Sequence, residues 1–545
     1  MTVDGGVLSA SFHLSESPIS QRTACRGKVY LVGAGPGDPW LLTRKGEVVL
    51  SQADVVVYDH LASSRLLDLA PSNAERILAG KSVGHCILTQ DEINELLIAN
   101  ARAGRVVVRL KGGDPLVFGR GGEEASSLHE AGIPFEIVPG VTAGLGVTAY
   151  AGIPVTHREA SSAVAFVTGH GDPENAADPG RLDWSALARF PGTLVVYMGV
   201  THLAAVCRTL ISQGKPGGTP AAVIESGTLA SQRSWVATLE TIAPIGLRAG
   251  VRPPALLVVG RVVELRTKLE WFEQLPLSGQ RIAITRPRQD AFRAASVLEF
   301  LGAEVILAPT VEIKALADPG PIDRAIARLD EYEWLVFTSA NGVRYFVDRL
   351  RVRGRDLRAL GHLKIAAIGP TTADALASFH LQADLVPDSY RSEALAEALG
   401  RVARGRRILL ARADRGRTLL KDELEALADV DQVSVYQNAD APSLPEGFID
   451  RILDGTVDWI TLTSSAITER LHGLLPDEAR RRIGREVRLA SLSPVTSATA
   501  ALLGWNVAVE AAEYTWDGLV QALATRIADD RCYLSTYVAP VAPAP

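Results

Sequence analysis

The segment VVRLKGGDPLVFGRGGEE, Val107 to Glu124, decides how the first half of the chain is read. It starts as an apolar run and stops at a glycine pair, the pattern of a buried strand running into a loop. Gly112 and Gly113 let a ligand approach the backbone without a side-chain clash. Asp114 offers acceptors to an amine or hydroxyl, and Arg109, Lys111 and Arg120 place cations around the same loop. Such charges are ordinarily a solvated face; interleaved with glycines at a strand end, they favour a binding site. A second loop, GAGPGDP at Gly33 to Pro39, follows the apolar run VYLV. Pro36 and Pro39 stand where the helix of a dinucleotide-binding turn would begin, so a nicotinamide site is the poorer reading.

Outward from these loops the pattern repeats. SAVAFVTG, GTLVVYMG, TPAAVIESG and PALLVVG are short apolar runs stopped by Gly or Pro, separated by helical spacings such as EINELLIANARAG. This predicts an α/β fold. The series stops near Glu264, and LRTKLEWFEQLPLSG reads as a short helix and a linker over 265–278. A second α/β series runs over 279–528, from RIAITRP to WNVAVEAA. The ends, 1–27 and 529–545, read as flexible tails. A chain of 545 residues is long enough for three or four domains at roughly 150 residues each.

Composition narrows the partners. With 56 Lys and Arg against 62 Asp and Glu, the net charge of −6 disfavours nucleic acid as the main ligand. No apolar stretch is long enough for a membrane helix, and the N-terminus lacks a charged start followed by an apolar run. Cys25, Cys86, Cys207 and Cys532 are far apart and form no C-x-x-C pair, which fits a reducing cytoplasm and predicts no metal site.

The second series contains an internal repeat. WLVFTSANGVRYF at Trp334 matches WITLTSSAITERL at Trp459, an offset of 125, and Tyr390 pairs with Tyr514. Two lobes with matching Thr/Ser-rich strand ends suggest a cleft lined from both sides, because ligands of open α/β sheets favour the carboxyl ends of strands. Duplication for folding alone is the blander alternative.

In order along residues 28–264 stand GAGPGDP, VVVYDHLAS, GKSVGH, QDEINELL, VVRLKGGDPLVFGRGGEE, VPGVTAG, AYAGIPVTHR, TLVVYMG and TPAAVIESGT. Together they resemble the tetrapyrrole methylase family, specifically its uroporphyrinogen-III C-methyltransferases. The resemblance implies two α/β subdomains, about 28–140 and 141–264, a cleft for S-adenosylmethionine between them, and a homodimer through this half. Carried over by position, the cofactor would be met by Pro36, Gly112, Gly113, Asp114, Val117, Thr142, Ala143, Met198 and Gly227. The family's proton acceptor falls on Asp59 and its proton donor on Lys81, for which pairing with a substrate carboxylate is a near-equal alternative. Arg109, Arg120, His157 and Arg158 are candidates for the carboxylates of the substrate, since Arg binds these in a bidentate fashion.

In the second half, ITRPR, LVFTSANGVRYF, IAAIGPTTADAL, SVYQ, TLTSSA and YTWDGLVQAL resemble uroporphyrinogen-III synthase. The resemblance implies two lobes joined by two strands: lobe one about 279–313 plus 438–528, lobe two about 314–437. It also implies ring closure of hydroxymethylbilane to uroporphyrinogen III with inversion of the last pyrrole. Folding a flexible octacarboxylate into one geometry is a positioning task. Hydroxyls and N–H groups at strand ends suit it, which points to Thr338, Ser339, Asn341, Thr371, Ser464, Ser465 and Thr496, with Arg286 for a propionate. Tyr436 matches the tyrosine thought to assist departure of the hydroxyl; a buried strand tyrosine is the alternative. Ser493 stands where the first repeat has Gly369, which is expected to restrict backbone approach. The seven arginines of 401–417 read either as a solvated face or as an electrostatic funnel.

The combined expectation is a bifunctional enzyme that makes uroporphyrinogen III and methylates it twice to precorrin-2. Two alternatives stay open: another precorrin as methyl acceptor, and a second half that is an inactive binding or regulatory module.

Overall fold

The computed structural model describes residues 27–71, 73–79, 88–170, 182–415 and 419–537. It divides into two compact units, 1–279 and 280–545. Among the described residues no helix is long and apolar enough to cross a membrane.

The first unit holds two five-stranded sheets. Strands β1 (Lys28–Gly33), β2 (Val55–Tyr58), β3 (Glu75–Leu78), β4 (Val106–Lys111) and β5 (Phe135–Val138) form an all-parallel sheet in the order β3-β2-β4-β1-β5. Every residue of β4 is buried, as expected for a central parallel strand covered on both faces. Apolar clusters lie on each side, one around Val32, Leu50 and Leu66, the other around Leu31, Leu97 and Leu128. The helix Gln90–Arg102 starts at a capping box, in which Thr89 and Glu92 satisfy each other's backbone N–H. Because β1 and β4 are neighbours, with Gly33 opposite Lys111, the two glycine loops leave the sheet side by side at its carboxyl edge.

The second sheet contains β6 (Val164–Thr168), β7 (Thr193–Tyr197), β8 (Pro220–Glu225), β9 (Arg233–Thr238) and β10 (Ala255–Val259), in the order β6-β7-β10-β8-β9. Here β10 runs antiparallel to both β7 and β8, so β7 and β8 end on the same edge.

The stretch read as a linker, 265–278, is part of this unit. Phe272 and Leu277 are buried, and the buried Arg266 guanidinium donates to the Ala151 carbonyl at 2.5 Å. The Gly279 N–H closes on the Ala230 carbonyl at 3.0 Å.

The second unit holds two more sheets. One is all-parallel, β12-β11-β18-β19-β20, built from β11 (Arg281–Ile284), β12 (Glu304–Leu307), β18 (Trp459–Leu462), β19 (Arg488–Ser491) and β20 (Val509–Glu510). The other is β13-β17-β16-β14-β15, from β13 (Val311–Lys314), β14 (Trp334–Phe337), β15 (Lys364–Ala367), β16 (Arg407–Ala413) and β17 (Asp429–Asp440). The chain crosses between lobes twice, on β13 and at the end of β17. These segments pair antiparallel, and the Ala441 N–H meets the Thr310 carbonyl at 3.0 Å.

The internal repeat has a structural cause. Strands β14 and β18 are fully buried, and each runs into a helix capped by a serine. Ser339 Oγ accepts from the Gly342 N–H at 3.0 Å, and Ser464 Oγ from the Ile467 N–H at 3.3 Å. Both serines cap their helix from an extended backbone, as N-cap residues do.

Candidate active sites

In the first unit the loops meet on three glycines. A Cβ on Gly33 would stand 2.5 Å from the Gly140 Cα, and one on Gly140 would overlap the Gly113 carbonyl oxygen. Gly35 and Gly113 exchange N–H···O bonds of 3.2 and 2.7 Å. Asp114 locks this floor: Oδ1 accepts from the Leu116 N–H at 2.8 Å and Oδ2 from the Gly140 N–H at 3.0 Å. The carboxylate read as a ligand acceptor thus already organises the loop, with lone pairs left over for a ligand.

The facing wall comes from the second sheet. Thr142 precedes the helix Ala143–Tyr150; its Oγ1 shares a 2.7 Å hydrogen bond with the Tyr197 hydroxyl, which also accepts from the Gly144 N–H at 2.5 Å. Burial pushes the Tyr197 phenol above its ordinary pKa. Pro36 packs where a Cβ on Gly146 would come within 2.6 Å, and a Cβ on Gly227 would overlap Val147. Val117 and Ala143 pack against the Val147 cluster.

Backbone strain marks the same loops. Six non-glycine residues among those described have positive φ, and five are Phe118, Arg120, Met198, Ser226 and Thr228. Strain of this kind persists only where surrounding structure enforces it, and it concentrates at ligand clamps. Met198 and Ser226 directly follow β7 and β8, so both turns open at one edge of the sheet.

Beside the floor lies a chain of charges, buried except at the partly exposed Asp59. Arg109 Nη2 donates to Asp59 Oδ1 at 2.5 Å, and its Nε donates to Glu124 Oε1 at 3.1 Å. Lys111 Nζ reaches the same Oε1 at 2.8 Å, and burial lowers the Lys111 pKa. Glu124 is 0% exposed and its Oε2 has no hydrogen-bond partner. Arg109, 2% exposed, is therefore not a ligand for substrate carboxylates: strand β4 points it inward, where it fixes Asp59. Arg120 is exposed and bidentate with Glu123, at 2.9 and 2.6 Å. His157 Nδ1 accepts from the Glu159 N–H at 3.2 Å, and Arg158 is exposed; no hydrogen bond joins either to the glycine loops. Lys81 lies outside the described residues, as do Gly80 and Gly84-His85 of its motif. Sequence reasoning missed Glu124 and Tyr197. Glu124 stood inside the quoted segment, but only the helix Gly121–Glu130 shows that it faces β4.

In the second unit, Tyr436 sits at a bulge: Arg412 pairs with Ser434 but Ala413 with Tyr436. An extra residue in one strand re-aims the side chains beyond it. The Tyr436 hydroxyl shares a 3.1 Å hydrogen bond with Ser339 Oγ, its ring lies 5.7 Å from that of Tyr345, and burial raises its pKa. Asn341 Nδ2 reaches across the lobes to Asp290 Oδ2 at 3.3 Å. Arg286 lies over the Trp516 ring at 5.3 Å, and burial lowers its pKa. Thr338 directly follows β14.

Other expectations change. Thr496 is buried and its hydroxyl is bonded to Ser493 Oγ at 3.1 Å, so it does not face a ligand. Its counterpart in the repeat is the buried Thr372, whereas Thr371 is exposed. Ser465 Oγ accepts from Thr499 Oγ1 at 2.8 Å. Ser493 caps the helix Pro494–Leu502, which explains a serine where the first repeat has glycine. The basic run pairs off with acids: Arg401 with Glu397, Arg406 with Glu333, Arg407 with Glu331 and Arg415 with Asp440. These four arginines are engaged in ion pairs, Arg412 is buried, and Arg417 lies outside the described residues. No cluster of three or more potential metal ligands occurs among the described residues.

Comparison with known proteins assigns each half of the chain to a family. The family model for tetrapyrrole (corrin/porphyrin) methylases matches residues 28–243, and that for uroporphyrinogen-III synthase HemD matches 293–521. A porphyrin biosynthesis protein HemD of Ruminiclostridium josui is 35% identical over 496 residues, covering 90% of this chain and 94% of that protein. An S-adenosyl-L-methionine-dependent uroporphyrinogen III methyltransferase of Methanosarcina barkeri is 53% identical, over 44% of this chain and 93% of its own. The solved uroporphyrin-III C-methyltransferase of Thermus thermophilus, complexed with S-adenosylhomocysteine, is 43% identical over 44% of this chain and 99% of its own, with a TM-score of 0.38. The chain belongs to the tetrapyrrole methylases over its first half and to the uroporphyrinogen-III synthases over its second.

The floor geometry yields a test of Asp114. Asp114→Ala removes the carboxylate that accepts from the Leu116 and Gly140 N–H groups and is expected to weaken S-adenosylhomocysteine binding by roughly 1.5–3 kcal/mol. Unchanged affinity by titration calorimetry would remove Asp114 from the site.

Proposed function

We propose that this chain cyclises hydroxymethylbilane to uroporphyrinogen III in its second unit and methylates that product twice, to precorrin-2, in its first. The observation that carries the reading is the packed glycine floor, where a Cβ on Gly33 or Gly140 would collide with the neighbouring loop and Gly113 takes a φ of 68°, together with the strained turns at Met198 and Ser226–Thr228. These residues fit S-adenosylmethionine, which when bound supplies an electrophilic methyl group. Pro36, Gly112, Gly113, Asp114, Val117, Thr142, Ala143, Met198 and Gly227 would hold it.

The chain's part in methyl transfer is alignment and proton handling. Alignment of two reactants can supply on the order of 7–11 kcal/mol. Asp59, held by Arg109, would take the proton displaced from the pyrrole-derived carbon, a role that rests on family resemblance. Lys81 is assigned proton return by family resemblance. The exposed Arg120 and Arg158 and the half-buried His157 are the remaining candidates for substrate carboxylates. The same resemblance supports a homodimer through the first unit, and the dispersed cysteines support a cytoplasmic setting; Cys207 is a buried free thiol.

In the second unit, Tyr436 is set to protonate the departing hydroxyl of the bilane. The resulting azafulvene cation attacks the substituted end of the last pyrrole, and a spiro intermediate rearranges to the inverted ring. Ser339, Asn341, Thr338, Ser464, Ser465 and Arg286 would hold the carboxylates that fold the chain for this attack. Burial favours the neutral phenol of Tyr436, the form that donates.

Two experiments test this. The full chain incubated with hydroxymethylbilane should yield uroporphyrinogen III, and dimethylated product once S-adenosylmethionine is added. Only the uninverted isomer I without the methyl donor would sink the synthase assignment, and no methylation of supplied uroporphyrinogen III the methylase one. Separately, Tyr436→Phe should slow cyclisation by about 10²-fold. In the wild type the alkaline loss of cyclisation should fall above about pH 10, the ordinary tyrosine value. An alkaline limb several units lower would show that another group donates the proton.

A further inference from the structure

The segment between the methylase fold and Gly279 touches the cofactor loops by two routes. Glu273 is the hub of the first. Its Oε1 accepts from Gln232 Nε2 at 2.9 Å and from Ser234 Oγ at 2.6 Å, and its Oε2 accepts from the buried Arg266 at 2.9 Å. Gln232, itself buried, turns its Oε1 onto the Thr228 N–H at 2.8 Å.

Thr228 is buried with φ of 69°, a left-handed conformation that costs a β-branched residue energy and needs outside support. Its Oγ1 accepts from the Asp38 N–H at 3.0 Å, and a Cβ on Gly37 would stand 2.8 Å from that oxygen. The second route also ends on Asp38. Tyr150 donates to Asp38 Oδ2 at 2.6 Å, and its ring lies 5.0 and 4.8 Å from those of Trp271 and Phe272. Trp271 Nε1 in turn donates to the Ala149 carbonyl at 3.1 Å.

We propose that Glu273 is a positioning residue for the S-adenosylmethionine cleft: through Gln232 it holds Thr228 in its left-handed turn and thereby fixes the loop Gly33–Pro39. The inference rests on the assignment of that cleft to S-adenosylmethionine. It makes the segment leading into the second unit a working part of the methylase. Nothing in the family-derived set of cofactor residues includes Glu273, Gln232 or Thr228, because none needs to touch the ligand.

The test uses the full chain with Glu273→Ala, Gln232→Ala and Glu273→Gln. The first two leave a buried polar group unpaired and should weaken S-adenosylhomocysteine binding by about tenfold. The KM for S-adenosylmethionine should rise in parallel while kcat stays close to wild type, and amide exchange at Thr228 should accelerate. Glu273→Gln keeps an acceptor for Gln232 and Ser234 and should restore most of the affinity. Cyclisation of hydroxymethylbilane by the same chain, unchanged in all three variants, reports that the protein is intact. Wild-type affinity and unchanged Thr228 exchange in both alanine variants would overturn the proposal while leaving the cleft assignment standing. A wild-type chain that does not bind S-adenosylhomocysteine would overturn both.

Discussion

The backbones of Gly33 and Gly140 crowd against each other and against the Gly113 carbonyl more closely than a Cβ on either permits, and the loops of the methylase cleft depend on that contact. The crowding follows from strand order. Placing β1 beside β4 brings both glycine loops to one edge of the parallel sheet, and β5 on the other side of β1 delivers Gly140. Asp114 then ties the second loop to the third. The turns after the strands of the second sheet answer with left-handed conformations at Met198, Ser226 and Thr228.

Charge is used differently in the two units. The methylase buries Arg109, Glu124 and Lys111 along β4, and Arg109 reaches out to the partly exposed Asp59. Removing one member of a buried ion pair typically costs about 3–5 kcal/mol, because the partner is left uncompensated. Such an arrangement fixes the Asp59 carboxylate in place. The synthase unit instead carries hydroxyls at its strand ends. Its duplicated strand–serine–helix element places Ser339 and Ser464 at matching positions, and the bulge in β17 delivers the Tyr436 hydroxyl to the first of them.

Much of this was legible in the sequence because buried parallel strands are continuous apolar runs. The glycine loops, the α/β series and the repeat all follow from that pattern. Strands β9 and β13 went unmarked because they are edge strands with little buried surface. Arg109 was misread because a cation beside glycines suggests a ligand; only the complete burial of β4 shows that it must find its partners inside. The segment 265–278 was taken for a linker on the strength of Pro276 and Gly279. What it lacks in pattern it gains from tertiary contacts through Arg266, Phe272 and Glu273, which no local signal reveals. Of the two helix-start threonines named as ligands, Thr371 is exposed and Thr496 buried; the feature the repeat shares is the buried threonine, Thr372 or Thr496, in the first turn of each helix.

The most direct test of the account is a crystal structure of the full chain with S-adenosylhomocysteine. The ligand should lie on the Gly33–Gly113–Gly140 floor, within contact of Pro36, Thr142, Met198 and Gly227, with its sulfur facing the side of the cleft that holds Asp59. Density for the ligand elsewhere on the first unit, or a floor that must open to admit it, would contradict the account.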